Sequence, residues 1–464
     1  MSWAERLTAQ GGVARLLIVA MLASLSLSQS IARFGETIGV DFYHLWGAPV
    51  ARRLSDRPLG SPYRDGERYY AVLKQHAAVA NQPKLSAAQR FWSTPDFTGS
   101  PLLYTITSVV SSDYTLSLAV FRALQILAFV GACLLLGFLS RFDPFALLCF
   151  VLICLLGYQP LLSDLRVANV GCLQLAALAA LMGLASALAR VRSFAQRAGL
   201  GALLLTAAAA LTLCKPNIAL VGLLLALYLA VRHGWRLFGI AALSASVATA
   251  ILLVVPCLYF GSWSIWQEWY RFVYGTNPGM LVRPIANGNY STPLLLSSWL
   301  GGDVSVISFV VGALLVVSLG VALFARERRA RGWARALGAA GKRLFDDPRP
   351  AFAIGILLTT AASPLFWAHY YVLVLIPSLW LLTVRSPRAV PLLAAVSVVM
   401  SAGMAGMLLW AMGRPDAMPA TIILSWVPLW AAMLIRLHRP DADAPGAATT
   451  SDARGPARPR RRRK

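Results

Sequence analysis

The chain has 464 residues, 58% of them hydrophobic, with a mean hydropathy of +0.64 and a formal net charge of +23. A soluble domain of this length has too little interior to hide so many apolar side chains, which excludes the water-soluble globular classes. The positive charge is gathered in short segments between apolar runs and at the C-terminus, so it fits the positive-inside bias of membrane proteins and not a nucleic-acid-binding surface.

The apolar runs fall, in chain order, at 13–33, 115–139, 145–161, 169–189, 199–213, 216–231, 237–260, 304–324, 351–365, 367–384, 389–411 and 421–436. Crossing a hydrocarbon core of about 30 Å takes roughly 20 helical residues. The pattern predicts an all-α polytopic membrane protein with about 12 transmembrane helices. The runs at 199–213 and 351–365 are short enough to be tilted or partly re-entrant, and the run at 101–110 is too short to count. The first run has no clear small-residue cleavage site and is read as retained. The six cysteines, Cys133, Cys149, Cys154, Cys172, Cys214 and Cys257, lie in or beside apolar runs with no CxxC pair, and read as small core residues.

A cytoplasmic N-terminus places Arg141, Arg190, Arg192, Arg197, Arg232, Arg236, the basic block 326–349, Arg385 and Arg388 on the inner side. The domain is then residues 1–437. Residues 438–464, rich in Pro, Ala, Asp and Arg, form a disordered basic cytoplasmic tail drawn to anionic lipid. Residues 34–112 form a long outer loop, whose arginines do not oppose the assignment because long loops translocate largely regardless of charge. Within it, 46–54 and 68–76 carry a helical amphipathic period and are expected to lie in the membrane interface, apolar side down.

Polar side chains near span ends then collect on the outer face. They are Asp41 and His44; the segment 94–97 with Asp96; Asp164, Arg166 and Asn169; Lys215, Pro216 and Asn217; 287–293; and 363–371 with Trp367, His369 and Tyr370. Each has a plain explanation. Asp41 suits a helix N-cap or a solvated loop, Lys215 can snorkel to headgroups, Pro364 can simply kink a helix, and His369 can be a satisfied interface histidine. Their concentration on one face points instead to a single outward cavity, with Asp41 a candidate general base. There is no GxxxxGK[ST] loop, no Rossmann glycine fingerprint, no HExxH and no zinc-like Cys/His spacing. An outward enzyme has no supply of nucleotide sugars, so its donor is expected to be lipid-carried. A transporter or flippase would need charge at mid-membrane, where Arg122 is the clearest instance, and a structural subunit would not need the polar cluster.

Several segments in order resemble glycosyltransferase family 87, the polyprenol-phosphate-sugar-dependent membrane enzymes of the GT-C fold. They are Asp41-Phe42-Tyr43 with Trp46-Gly47-Ala48, then Ser61-Pro62-Tyr63, 91–101, Asn169, Lys215-Pro216 and Ser363-Pro364-Leu365-Phe366-Trp367-Ala368-His369-Tyr370-Tyr371. The likeness runs over about 35–385, with Arg166-Val167-Ala168-Asn169 standing where the family more often has Gly-Gln-Xaa-Asn. The resemblance implies an inverting transfer of a sugar, mannose favoured and a pentose such as arabinofuranose the alternative. The acceptor is a lipid or glycan hydroxyl. Asp41 then takes the proton, Lys215, His369 and Arg166 stabilise the leaving phosphate, and Tyr43, His44, Asn169, Trp367 and Tyr370 contact substrate. No metal or other cofactor is required by this scheme. The expected location is a bacterial inner (plasma) membrane, with the site facing the periplasm or exterior.

Overall fold

The computed structural model describes residues 12–35, 37–92, 97–275, 285, 288–385, 387–403, 413 and 417–438. Among them the regular structure is helical, apart from one isolated bridge between Asn289 and Trp367. Helix α1 (Gly12–Gly35) leads into a unit called outer only for its place outside the helical bundle, built from α2 (Val40–Leu54), α3 (Gly66–Val79), α4 (Pro83–Phe91) and the short α5 (Pro101–Ile106). The bundle follows with α6 (Tyr114–Leu139), α7 (Pro144–Gly157), α8 (Gln159–Val167), α9 (Gly171–Leu188), α10 (Phe194–Cys214), α11 (Ala219–His233), α12 (Trp235–Phe260) and the short α13 (Ile265–Tyr270). It continues with α14 (Thr292–Leu300), α15 (Val304–Leu344), α16 (Pro348–Ala362), α17 (Leu375–Leu382), α18 (Ala389–Ser401), α19 (Ala417–Ile423) and α20 (Trp426–His438).

Aspartates set several of these starts. The carboxylates of Asp113, Asp143, Asp303 and Asp347 each accept backbone N–H groups of the first turn that the helix itself leaves unpaired. Seven stretches among the described residues are long and apolar enough to cross a membrane, and eight if α7 and α8 count as one bent span. The protein is therefore a polytopic helical membrane protein. The run read as short at 199–213 belongs to a 21-residue helix, whereas Pro348–Ala362 has only 15 residues. The run at 145–161 is not one straight span. It breaks after Gly157 with a 57° bend, at an extended Tyr158 followed by Pro160, which has no N–H to carry the helix ladder across. The run at 367–384 opens as a 3₁₀ turn, Ala368–Val374, before α17. The later part of the 389–411 run, and the tail beyond 438, lie outside the described residues.

Two cores result. One fills the bundle, and the other lies in the outer unit, built on Phe42, Trp46, Tyr69, Leu73, Leu85, Phe97, Tyr104 and Tyr114. The close contact of α11 with α16 depends on Gly355, where an added Cβ would come within 2.9 Å of the Val221 backbone. Helix α3 keeps the one-sided face expected of it, burying Tyr69, Leu73 and Ala77. Helix α2 does not lie on a lipid interface. Every residue from Phe42 to Ala51 is buried, because α3, α4, α5 and the start of α6 enclose it with aromatic rings.

Candidate active site

A cavity of about 1500 Å³ opens where the outer unit meets the bundle. Its walls come from 37–45, 91–104, 159–170, 214–220, 269–274, 288–290 and 358–370, with Met418 and Ile422. These are the span ends that simple alternation assigns to one face, so the structure gathers at one end of the bundle what the sequence placed on one side.

Asp41 enters through the first turn of α2. The cap of that helix is Gly39, in the left-handed region at φ 65°, so Asp41 is not the N-cap that a plain reading of the sequence allowed. Gly is needed at 39: a Cβ would stand 2.5 Å from Leu118 Cδ1. The Asp41 carboxylate sits at the positive end of α2 and accepts a hydrogen bond from Asn169 Nδ2 at 2.7 Å. Asn169 itself stands just before α9, behind Ala168 in the left-handed conformation.

The cationic side is built from two segments. Lys215 closes the C-terminal end of α10, where a cation is favoured by the helix dipole. Its ammonium donates to the Tyr370 hydroxyl at 2.7 Å and lies 4.7 Å from the centre of that ring. His369 is buried against Tyr370 with ring centres 4.5 Å apart, and its Nε2 has no hydrogen-bond partner. The 363–371 loop is pinned by backbone contacts. Phe366 N–H donates to Asn289 Oδ1 (3.0 Å), Tyr290 N–H donates to the Phe366 carbonyl (2.8 Å), and the Ser291 hydroxyl donates to the Ser363 carbonyl (2.8 Å).

His44 also lines the cavity. It is buried edge-on to Trp92 and Phe97, and neither ring nitrogen has a partner. Burial pushes its pKa down to about 3, so it is a neutral imidazole with hydrogen-bonding capacity to offer a ligand.

Of the residues singled out from sequence, Asp41, His44, Arg166, Asn169, Lys215, Trp367, His369 and Tyr370 all line this one cavity. Tyr43 does not. It packs into the outer core against Trp46 and Tyr114, because the helical turn that aims Asp41 at the cavity aims its neighbour away. Asp164 is not a cavity carboxylate either. It is fully buried and accepts the backbone N–H groups of Gly171 and Cys172 at the start of α9. Arg122 is tied to the Thr37 and Leu165 carbonyls at 3.1 and 3.3 Å. Asp96 and Asn287 lie outside the described residues. Asn217, which the sequence placed on the same face without giving it a role, lines the cavity beside Lys215 with its Oδ1 held by Gln174 Nε2 at 3.1 Å and its own Nδ2 unpartnered. The signal was its place in Lys215-Pro216-Asn217. Among the described residues, no three His, Cys, Asp or Glu side chains converge as metal ligands would.

The fold and cavity define a helical membrane protein that, among the described residues, holds one carboxylate and a cluster of amine, imidazole and phenol groups over an apolar-walled chamber. The sequence model of glycosyltransferase family 87 matches residues 98–344, and the chain belongs to that family. It is accordingly a membrane glycosyltransferase. The matched stretch contains Arg166, Asn169 and Lys215, and is shorter at both ends than the likeness over about 35–385: Asp41 and the 363–371 loop fall outside it. No curated protein and no solved structure matches the chain.

Proposed function

We propose that this glycosyltransferase moves a sugar, mannose favoured, from a polyprenyl-phosphate donor to a lipid or glycan hydroxyl on the outer face of the membrane, with inversion at the anomeric carbon. The observation that carries the reading is the sharing of one cavity by Asp41 and the Lys215–Tyr370–His369 group. In this scheme the acceptor hydroxyl attacks the anomeric carbon while Asp41 takes its proton, and the bond from that carbon to the phosphate oxygen breaks. The departing polyprenyl phosphate is already an anion. It needs positive charge and donors rather than an acid, which Lys215, His369, Arg166 and the free Asn217 amide supply.

The mixed lining suits such a donor. Leu162, Val167, Leu220, Leu358 and Leu365 offer apolar wall, while the polar groups are clustered. In this reading Trp367 and Tyr370, which line the cavity, cover a sugar face, His44 orients a hydroxyl, and Asn169 acts through Asp41. The test is to incubate purified protein with a panel of polyprenyl-phosphate sugars, mannose and arabinofuranose among them, and to follow release of polyprenyl phosphate. Release from one member, dependent on an added acceptor, supports the reading; no release from any member, with turnover of a nucleotide sugar instead, rejects it.

A further inference from the structure

Asn169 is held at every polar atom. Its N–H donates to the Asp164 carbonyl (3.2 Å), its carbonyl accepts from Gln125 Nε2 (2.6 Å), and its Oδ1 accepts from Val170 N–H (2.7 Å). Only Nδ2 is left, and it donates to Asp41. Behind it, the Asp164 carboxylate gathers Gly171 N–H (3.1 Å), Cys172 N–H (2.9 Å) and Gln125 Nε2 (3.1 Å). Gln125 reaches the Asp164 carbonyl as well, at 3.2 Å, so one amide group ties the end of α8 to the residue before α9. The chain between them turns through Ala168 at φ 55°, a conformation that a side chain adopts only when its surroundings impose it. Gly171 belongs to the same construction, since a Cβ there would stand 2.6 Å from Asp164 Oδ1. Neither Gln125 nor Asp164 lines the cavity.

From this geometry we infer that Gln125 and Asp164 are positioning residues, which fix Asn169 so that its amide orients the Asp41 carboxylate toward the acceptor hydroxyl. The inference rests on the reading of Asp41 as the base. A cap alone would need only the two backbone N–H groups. The shared Gln125 amide links that cap to the residue that holds Asp41.

The test is a double-mutant cycle in the purified full-length protein, reading kcat, donor KM and melting temperature. Asn169→Ala removes the contact to Asp41 and should lower kcat roughly 10- to 100-fold, the usual worth of a hydrogen bond to a charged group. Gln125→Met keeps volume and removes the unpartnered acceptor Oε1, but it also strands the Asp164 and Asn169 acceptors that Nε2 serves, so melting should fall and kcat is compared at a temperature where both proteins are folded. It should lower kcat about 10-fold while donor KM stays within about 3-fold, the split expected of a group acting on the base alone. The double variant should be no slower than Asn169→Ala, because coupled residues are not additive. Should Gln125→Met not yield folded protein, Asp164→Asn, which keeps shape and one acceptor oxygen, completes the same cycle. Losses that multiply, or a Gln125→Met enzyme with normal kcat, overturn the inference. Asp41→Asn run alongside separates the two levels. Near-normal turnover there rejects the base itself, whereas a dead Asp41→Asn with multiplying losses rejects only the positioning role.

Discussion

Replacing Lys215 by Met keeps the length of the side chain and removes its charge. In the structure the ammonium uses one of its three N–H groups on the Tyr370 hydroxyl, at 2.7 Å, and leaves two for a phosphate oxygen. A charge-assisted hydrogen bond is worth about 1.5–3 kcal/mol, and removing one donor from a preorganised anion site costs about 2.7–4 kcal/mol. Lys215→Met should therefore lose about 3 kcal/mol of transition-state stabilisation, or about a hundredfold in kcat. The loss belongs in kcat more than in donor KM, because negative charge on the leaving oxygen grows as the glycosidic bond breaks. Tyr370→Phe is the control. It frees the third N–H and keeps the ring, so it should cost only about 1 kcal/mol. The assay is the initial rate of polyprenyl phosphate release at saturating acceptor over a range of donor concentrations. A Lys215→Met enzyme within about threefold of the parent would remove the lysine from the chemistry and leave it a headgroup anchor.

Two further outcomes follow from the outer unit. His44 is neutral when folded, with its pKa near 3, but titrates near 6.5 when unfolded. The unfolded state therefore binds more protons in that window, so stability is full above about pH 6.5 and falls by about 1.4 kcal/mol per pH unit below it, a slope that should flatten in His44→Phe melting curves. For topology, Ala80→Cys in a background without the native cysteines should label with a membrane-impermeant maleimide in intact cells, and labelling only after lysis would reverse the assignment of the 34–112 loop.

The site was legible in the sequence where chemistry and topology coincide. Asp41, Lys215 and His369 each sit at the end of an apolar run, and alternation of the runs puts all three on one face; packing then brings them to one chamber. What the sequence hid depends on distant packing. The period of 46–54 suits an interfacial helix, and only the enclosing aromatics from α3 to α6 show that α2 is buried from Phe42 to Ala51. The role of Asp164 needed the turn at Ala168, which bends the chain back so that a carboxylate in α8 caps the helix that follows it. Arg122 looked like a charge stranded in a span, because its partners, the Thr37 and Leu165 carbonyls, are far from it in sequence. The bend after Gly157 rests on Pro160, whose weight is hard to judge in an otherwise continuous apolar run.

If Asp41 removes the acceptor proton, Asp41→Asn is the substitution that isolates that step. The amide keeps the size of the carboxylate, and its Oδ1 still accepts from Asn169 Nδ2, but it takes no proton at neutral pH. The measurement is turnover of donor into product beside equilibrium binding of the same donor. Donor affinity should stay within a few-fold of the parent while turnover falls by about 10²–10⁴-fold, the range that general base catalysis supplies. Turnover close to the parent's, with donor binding intact, would contradict it.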